Sequence, residues 1–573
     1  MRSPSSALAL LWIVGCEGSG GAASDASVVP DVFVPADVAV VAAPERCGRT
    51  YCERALPSTG AMVAVGDGDG DGHLDVLLGD VERDVRRLGT VVFLHGRGDG
   101  SFEDRTVATG LVGYGAWAAH FADLDNDGDA DLVMGGRPPA RRGEETERGA
   151  VMVLDNDGHG HFTDRSAGRI PAENGAGLPL ALDVADLDQD GRLDLVIGRA
   201  GRLREGEYAP SVLMANAGGG YRLLTGLPQD PGFAWVVLAT DFDADGRPDL
   251  LVPRDAFATH QVAERPADSM PCDEDTGMSH AVTNWINSAY RQSSSGGAPS
   301  FARASLNPGY ETPLLSPMGV GAGDLDRDGL TDYLFTNAGS ALLLVARAGG
   351  GFDDRTDAAG LTLTIRPGPG GSSKEAIPVS WSALPRDLDR DGRLDLLMTF
   401  GVIPVTLPGA ANTVYLQGSP MRFAAERDTG FELPGSWSSL ATGDFDEDGD
   451  EDLIMGSQTI LLRGCDRPGP ARYLRNDRAL SGRHWLRVRL VGTASNRDGL
   501  GARVTATLPD GARLVREVSR AGGVMSSSDP TVDLGLGDAA TLPSLEVRWP
   551  SGRTQRLAAV AVDRTLVLTE AAP

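Results

Sequence analysis

The stretch Asp186–Asp194, DLDQDGRLD, places carboxylates at positions 1, 3, 5 and 9 of a nine-residue loop and a glycine at position 6. Alternate side chains of a tight loop converge on one point, a hard divalent cation takes six to eight oxygens, and glycine permits the sharp turn. One such loop could be a solvated acidic turn. This chain has seven, all in one register. The other six are DGDGDGHLD (Asp67, Asp69, Asp71, Asp75), DLDNDGDAD (Asp123, Asp125, Asp127, Asp131), DFDADGRPD (Asp241, Asp243, Asp245, Asp249), DLDRDGLTD (Asp324, Asp326, Asp328, Asp332), DLDRDGRLD (Asp387, Asp389, Asp391, Asp395) and DFDEDGDED (Asp444, Asp446, Asp448, Asp452). With Asp186, Asp188, Asp190 and Asp194, these predict up to seven structural Ca²⁺.

The first aspartates are spaced by 56, 63, 55, 83, 63 and 57 residues, so the repeating unit is a whole supersecondary element. An apolar run precedes each loop (Ala61 to Val65; Val236 to Ala239) and another follows it (Leu74 to Leu78; Leu193 to Ile197; Leu394 to Met398). These read as strands A and B joined by the loop. Then come a third run, a glycine turn and an aromatic, as in VVFLHGRGDGSFEDRT from Val91, VMVLDNDGHGHFTDRS from Val151 and LLVARAGGGFDDRT from Leu343. This is a hairpin of strands C and D. Seven repeats of four antiparallel strands predict an all-β fold, a seven-bladed β-propeller with calcium loops between strands A and B.

The DxDxDG loops and the GxGxFxDxT turns resemble FG-GAP or VCBS repeats, the units of integrin-type propellers and of many secreted bacterial proteins, over about residues 58 to 475. From Asn476 the stretches NDRALSGRHWLRVRLVGTASNRDGLGARVTATLPDG, REVSRAGGVMSSSDPTVDLGLGDA and LEVRWPSG are similar to the ASPIC/UnbV domain. That domain order resembles cartilage-acidic-protein-like proteins. The resulting organisation is a signal segment over 1–16, a flexible tether and propeller entry over 17–57, the repeats over 58–475 and a small β-rich domain over 476–573.

The formal charge is −28, the number of carboxylates the seven loops supply, so seven Ca²⁺ would halve it. The acidity is first a metal inventory. Nucleic acid is excluded as a partner, because phosphate binding needs Lys and Arg. Arg2, the apolar run Ala7 to Val14 and then Cys16 read as an export signal too short to span a bilayer. Ile13-Val14-Gly15-Cys16 resembles a bacterial lipobox, which implies lipidation of Cys16 and a body held at the cell envelope by a lipid anchor, at the outer membrane or a periplasmic face. The alternative is an ordinary signal peptide, cleaved near Ala23, and a secreted protein. Glu17 to Ala43 has the composition of a flexible tether.

Cys47, Cys52, Cys272 and Cys465 allow three disulfide pairings, of which Cys47 with Cys52 is the easier local one. A metal site at Cys272, Asp273, Asp275 and His280 matches no zinc spacing well. The long fourth interval holds an insertion, Arg254 to Asn284, on the face opposite the calcium loops. Trp117, Trp235 and Trp381, each six residues before the first loop aspartate, and Trp437, seven before it, belong to that face. They read either as packing between repeats or as an aromatic platform for a sugar or another flat ligand.

Arg97-Gly98-Asp99 spells an integrin-binding tripeptide but falls in the C–D turn that every repeat has. The loops differ from EF-hands in having Asp at position 9 in place of Glu at 12. No HExxH, GxSxG or GxxxxGK[ST] motif is present, and Lys374 is the sole lysine. The expected function is a non-enzymatic, calcium-binding, monomeric envelope module that binds a protein or glycan. The alternative is a lectin or carbohydrate-active enzyme using the channel mouth opposite the loops.

Overall fold

The computed structural model describes residues 46–572, apart from 82–87, 140–148, 173–176, 201–209, 216, 231–233, 256–286, 294–298, 313–314, 364–376, 404–410, 458–468 and 479–481. Cys16, Cys272, Cys465, Asp273, Asp275, His280, Lys374 and most of the Arg254 to Asn284 insertion lie outside the described residues. The described chain is all-β, with two single helical turns at Ser166–Arg169 and Thr356–Ala359.

Each DxDxDG loop joins two antiparallel strands of a separate sheet. In the second repeat the order is Gly115–Ala122, Asp131–Arg137, Ala150–Asn156 and Phe162–Asp164, and the third to sixth repeats form four-stranded sheets in the same sequential order. The first strands are short, small-residue and apolar. Met62–Gly66 (MVAVG) and Gly115–Ala122 (GAWAAHFA) are buried along their whole length, as expected of strands covered on both faces. First strands of successive sheets pack side by side: Met62–Gly66 against Gly115–Ala122, that strand against Leu178–Ala185, and Ile377–Arg386 against Trp437–Gly443, which returns to Met62–Gly66. The fourth and fifth sheets meet through Thr240 Oγ1 and the Tyr333 hydroxyl at 2.9 Å.

The seventh sheet differs. Its own strands are Trp437–Gly443, Asp452–Ser457 and Arg472–Asn476, and its next strand is Tyr51–Ala55 from the other end of the chain, paired from Tyr51 with Asn476 to Ala55 with Arg472. The repeat body therefore begins upstream of residue 58. Cys47 and Cys52 face each other across the adjoining hairpin with their sulfurs 2.06 Å apart.

The C-terminal domain consists of a three-stranded sheet (Val532–Gly537, His484–Val491, Arg564–Thr569) and a four-stranded sheet (Arg513–Glu517, Arg503–Thr507, Leu542–Arg548, Thr554–Val560). The two share one apolar core that includes Leu486, Val488, Val504, Leu534, Leu545 and Val547. Between Arg513–Glu517 and Val532–Gly537 the chain leaves this domain and enters the repeats. Ser526 and Ser527 pair in parallel with Val63 and Ala64 of the first repeat. Gly523 N donates to Leu440 O (2.8 Å), Val524 N to Ser382 Oγ (2.8 Å), and Ser527 Oγ to Ala119 O (3.0 Å). One segment thus touches the first strands of repeats one, two, six and seven, and Val524 and Met525 share an apolar cluster with Trp117, Trp235 and Trp381.

Candidate metal centres

The seven loops share one hydrogen-bond scaffold, built by the aspartates themselves. The position-1 carboxylate accepts from the position-6 glycine N–H in every loop, from Gly72 to Asp67 through Gly449 to Asp444, at 2.8–3.1 Å. The position-5 carboxylate accepts from the position-7 N–H in every loop at 2.8–3.1 Å. The position-9 carboxylate opens the second strand and is fully buried, its Oδ1 accepting from a third-strand amide at 2.7–2.9 Å in all seven. In six loops its Oδ2 also accepts from the position-2 N–H at 2.8–3.2 Å. Position 9 is therefore a clamp between loop and sheet as much as a ligand, which motif spacing alone does not reveal.

The backbone is held in the left-handed region at position 4 as well as position 6. Asn126, Gln189, Ala244, Arg327, Arg390 and Glu447 have φ of 57–63°, while the position-6 glycines lie at 86–106°. Non-glycine residues adopt that region at a cost, so strain recurring at one position of six loops marks a conformation imposed by the site.

After these bonds, carboxylate oxygens remain buried without a donor: Asp67 Oδ1, Asp324 Oδ1 and Asp444 Oδ1 at position 1, Asp69 Oδ1, Asp188 Oδ1 and Asp446 Oδ1 at position 3, and Asp249 Oδ2 at position 9. Ligand atoms of Asp123, Asp125 and Asp127 lie within 4.8 Å of one another, as do those of Asp67, Asp69 and Asp75, and those of Asp125, Asp131 and Asp155. Burial, reinforced by neighbouring carboxylates, pushes Asp131, Asp249 and Asp332 up to about 8, Asp123, Asp186 and Asp395 to about 7, and Asp67, Asp324 and Asp444 to about 6. Ionised at neutral pH, such a cluster needs a cation, and aspartate oxygens with a backbone carbonyl are the donor set of a hard one.

The loop face is covered by the C-terminal domain. Arg487, buried, donates to Asp444 Oδ2 at 2.5 Å and lies 3.5 Å from Asp529 and 3.6 Å from Asp533. Arg483 donates to Asp389 Oδ1 at 3.3 Å, Asp123 N donates to Asp498 Oδ2 at 3.3 Å, and Gly537 N donates to Arg390 O at 2.8 Å. Trp485 lies so close to Gly449 that a Cβ there would sit 2.1 Å from its ring.

The tryptophans require a correction. Trp117, Trp235, Trp381 and Trp437 are only 3–4% exposed. They sit on or beside the first strands, and the register shifts at Trp117, Trp381 and Trp437 turn their side chains inward. Trp235 and Trp381 pack edge to face at 6.1 Å, and Trp235 Nε1 donates to Asp255 at 2.8 Å, where the insertion starts. A buried ring offers no face for stacking, so these four are packing residues and not a ligand platform. A cavity beside Trp235, lined also by residues 521–523, 525 and 526, is about 30 Å³; a second cavity, between the repeats and the C-terminal domain, is about 110 Å³. Small-molecule clefts are typically about 300–1,000 Å³. In the Arg97-Gly98-Asp99 turn, Arg97 pairs with Glu103 and Asp99 accepts from Ser101, as a turn residue does.

The FG-GAP-like repeat family matches residues 67–134, 145–197 and 387–455, and the ASPIC and UnbV family matches 492–573. The chain is an FG-GAP-repeat protein with a C-terminal ASPIC and UnbV domain. Neither family has a known catalytic activity. A comparison with curated proteins finds no match. Among solved structures, this FG-GAP-repeat protein is similar to rhamnogalacturonan lyase YesW, with 13% identity, 76% of this chain and 75% of that one covered, and a TM-score of 0.34. It is similar to Bacillus licheniformis rhamnogalacturonan lyase PL11, with 15% identity, 76% and 74% coverage and a TM-score of 0.34. It is also similar to PorZ, a surface component of the type-IX secretion system of Porphyromonas gingivalis, with 11% identity, 87% and 59% coverage and a TM-score of 0.40. These likenesses carry no argument about activity or ligand.

Proposed function

We propose that this FG-GAP-repeat protein is an exported, calcium-stabilised, seven-bladed β-propeller that serves the cell envelope as a non-enzymatic binding module. The observation that carries the reading is the common loop scaffold: the same amide contacts orient the aspartates in all seven loops and, in five of them, leave carboxylate oxygens buried without donors. Ca²⁺ satisfies those oxygens with the coordination number such loops supply. FG-GAP-like repeats point to an extracellular or envelope protein, and no described helix is long and apolar enough to cross a membrane. Acylation of Cys16 would then supply the anchor. Because the C-terminal domain covers the loop face, a protein or glycan partner would dock on the opposite face, where the first strands begin and the Arg254 to Asn284 insertion departs. Elemental analysis of the desalted chain tests the metal, with several Ca²⁺ per chain expected and none overturning the reading. The mass of the mature N-terminus tests the anchor: an unlipidated start beyond Cys16 would make it a secreted protein.

A further inference from the structure

The loops share their aspartates but not the residue that faces position 9 from the third strand. The strand pairs Val76 with Leu94, Leu132 with Leu154, Leu195 with Leu213, Leu250 with Tyr290, Tyr333 with Leu344, Leu396 with Tyr415 and Leu453 with Leu474 set this position one residue further on. It is His95 in repeat one, Asp155 in two, Met214 in three, Arg291 in four, Val345 in five, Leu416 in six and Arg475 in seven. In repeats one, two and four the side chain at this position reaches the loop, whereas Arg475 of repeat seven pairs with Asp477. Asp155 converges with Asp125 and Asp131. Arg291 Nε lies 2.7 Å from Asp243 Oδ2, placing a fixed positive charge beside the fourth loop's carboxylates.

His95 is the exception in chemistry. The residue is 6% exposed and its side chain faces three aspartates of the first loop: Nδ1 is 2.9 Å from Asp69 Oδ2 and 3.3 Å from Asp75 Oδ1, and Nε2 is 3.9 Å from Asp71 Oδ2. Nδ1 nevertheless makes no properly angled hydrogen bond, and Asp67 Oδ1 and Asp69 Oδ1 beside it are buried without donors. Ligand atoms of Asp69, Asp71 and His95 fall within 4.8 Å of one another. The oxygens nearest Nδ1 already accept, Asp69 Oδ2 from Arg105 Nη1 at 3.1 Å and Asp75 Oδ1 from Gly96 N at 2.9 Å, but a buried imidazole nitrogen in the same loop as two donor-less carboxylate oxygens supplies a mixed nitrogen and oxygen donor set. Imidazole suits first-row transition ions, whereas an all-oxygen set suits calcium.

We propose that the first loop is a transition-metal site, with His95, Asp69 and Asp71 as ligands and Asp67 or Asp75 completing the set, in a body whose other loops take calcium. The third-strand residue thus distinguishes three of the loops: a further anion in repeat two, a guanidinium in repeat four, and a borderline ligand in repeat one. The inference rests on the metal reading of the loops, and its test separates the two.

The full chain, stripped with chelator and refilled in millimolar Ca²⁺, is given Zn²⁺, washed with millimolar imidazole to strip single surface histidines, desalted and analysed for both elements. About one Zn²⁺ per chain is expected alongside calcium. His95→Asp, which installs the carboxylate of repeat two, is expected to weaken Zn²⁺ retention at least tenfold while total calcium is kept or increased. Calcium without zinc in the wild type, or zinc retained unchanged in His95→Asp, would overturn the transition-metal site and leave the calcium reading standing. Absence of both metals would sink the two together. Should His95→Asp not fold, the first equivalent of Cu²⁺ bound to the wild type in excess Ca²⁺ gives a spectrum that decides: ¹⁴N superhyperfine coupling supports the site, and an all-oxygen spectrum refutes it.

Discussion

The two ends of the first strands present opposite problems. At the tryptophan end, Trp117, Trp235 and Trp381 surround Val524 and Met525 in a dry apolar cluster, and the Trp235 N–H is met by Asp255. At the loop end a few residues away, several carboxylates per repeat are brought together, and some of their oxygens are buried with no donor. Among the described residues, the apolar end leaves the Trp381 N–H buried without an acceptor, whereas the loop end leaves seven carboxylate oxygens at loop positions 1, 3 and 9 buried without donors. Packing therefore accounts for the tryptophan rings, whereas the loops call for a ligand.

Chelation attacks the loop end and should have the largest effect. A site holding Ca²⁺ at 100 times its dissociation constant contributes about 2.7 kcal/mol, so stripping several is expected to lower the melting temperature by about 10 °C or more. The loss should be restored by Ca²⁺ and poorly by Mg²⁺, which demands a tighter octahedron. The metal-free protein should also have a distinctive pH dependence. Asp131, Asp249 and Asp332 are raised from 3.8 to about 8 in the fold, so the folded state holds protons that the unfolded chain has released. That contribution to stability is complete below the unfolded value and is lost as pH rises through the folded one. In chelator, melting temperature should fall between pH 5 and pH 8, and Ca²⁺ should flatten the slope. A flat profile in chelator would mean that the loop carboxylates are not clustered as described.

Trp381→Ala attacks the apolar end. Truncating a fully packed tryptophan typically costs about 3–5 kcal/mol. Calcium content in the folded fraction should not change. A stable variant with weakened binding to a partner would reverse the correction and return the ring to the surface.

Asp188→Asn tests a single loop, because Asp188 Oδ1 has no donor inside the protein. Calcium content should fall by one, with a stability loss of at most about 2.7 kcal/mol when Ca²⁺ is at 100 times its dissociation constant. An unchanged calcium count would show that the third repeat's loop does not bind the ion.

The repeat number, the four-strand unit and the loop aspartates were all legible, because short continuous apolar runs and a fixed DxDxDG spacing are local signals. The closing strand Tyr51–Ala55 was not. Its sequence, YCERA, has no repeat signature and gains its place only by pairing with residues more than four hundred positions away. The segment 521–528 was hidden for a similar reason: AGGVMSSS falls inside the stretch that resembles the ASPIC/UnbV domain, and only the geometry shows Val524 and Met525 reaching the tryptophans. His95 is different. Aligning LHG at 94–96 with LDN at 154–156 exposes the substitution, but its meaning needed the loop in three dimensions.

The pairing of Tyr51 with Asn476 also constrains how an exported chain acquires its structure. Emerging N-terminus first, the strand Tyr51–Ala55 has no partner until residue 476 has crossed, and Val63 and Ala64 wait still longer for Ser526 and Ser527. Contacts of such long sequence separation form late and slowly. Until then the first and seventh repeats carry unpaired strand edges of the kind that aggregate. Closure is thus the final act of biogenesis, and an envelope chaperone that shields Met62–Gly66 during transit would meet a need written into the topology.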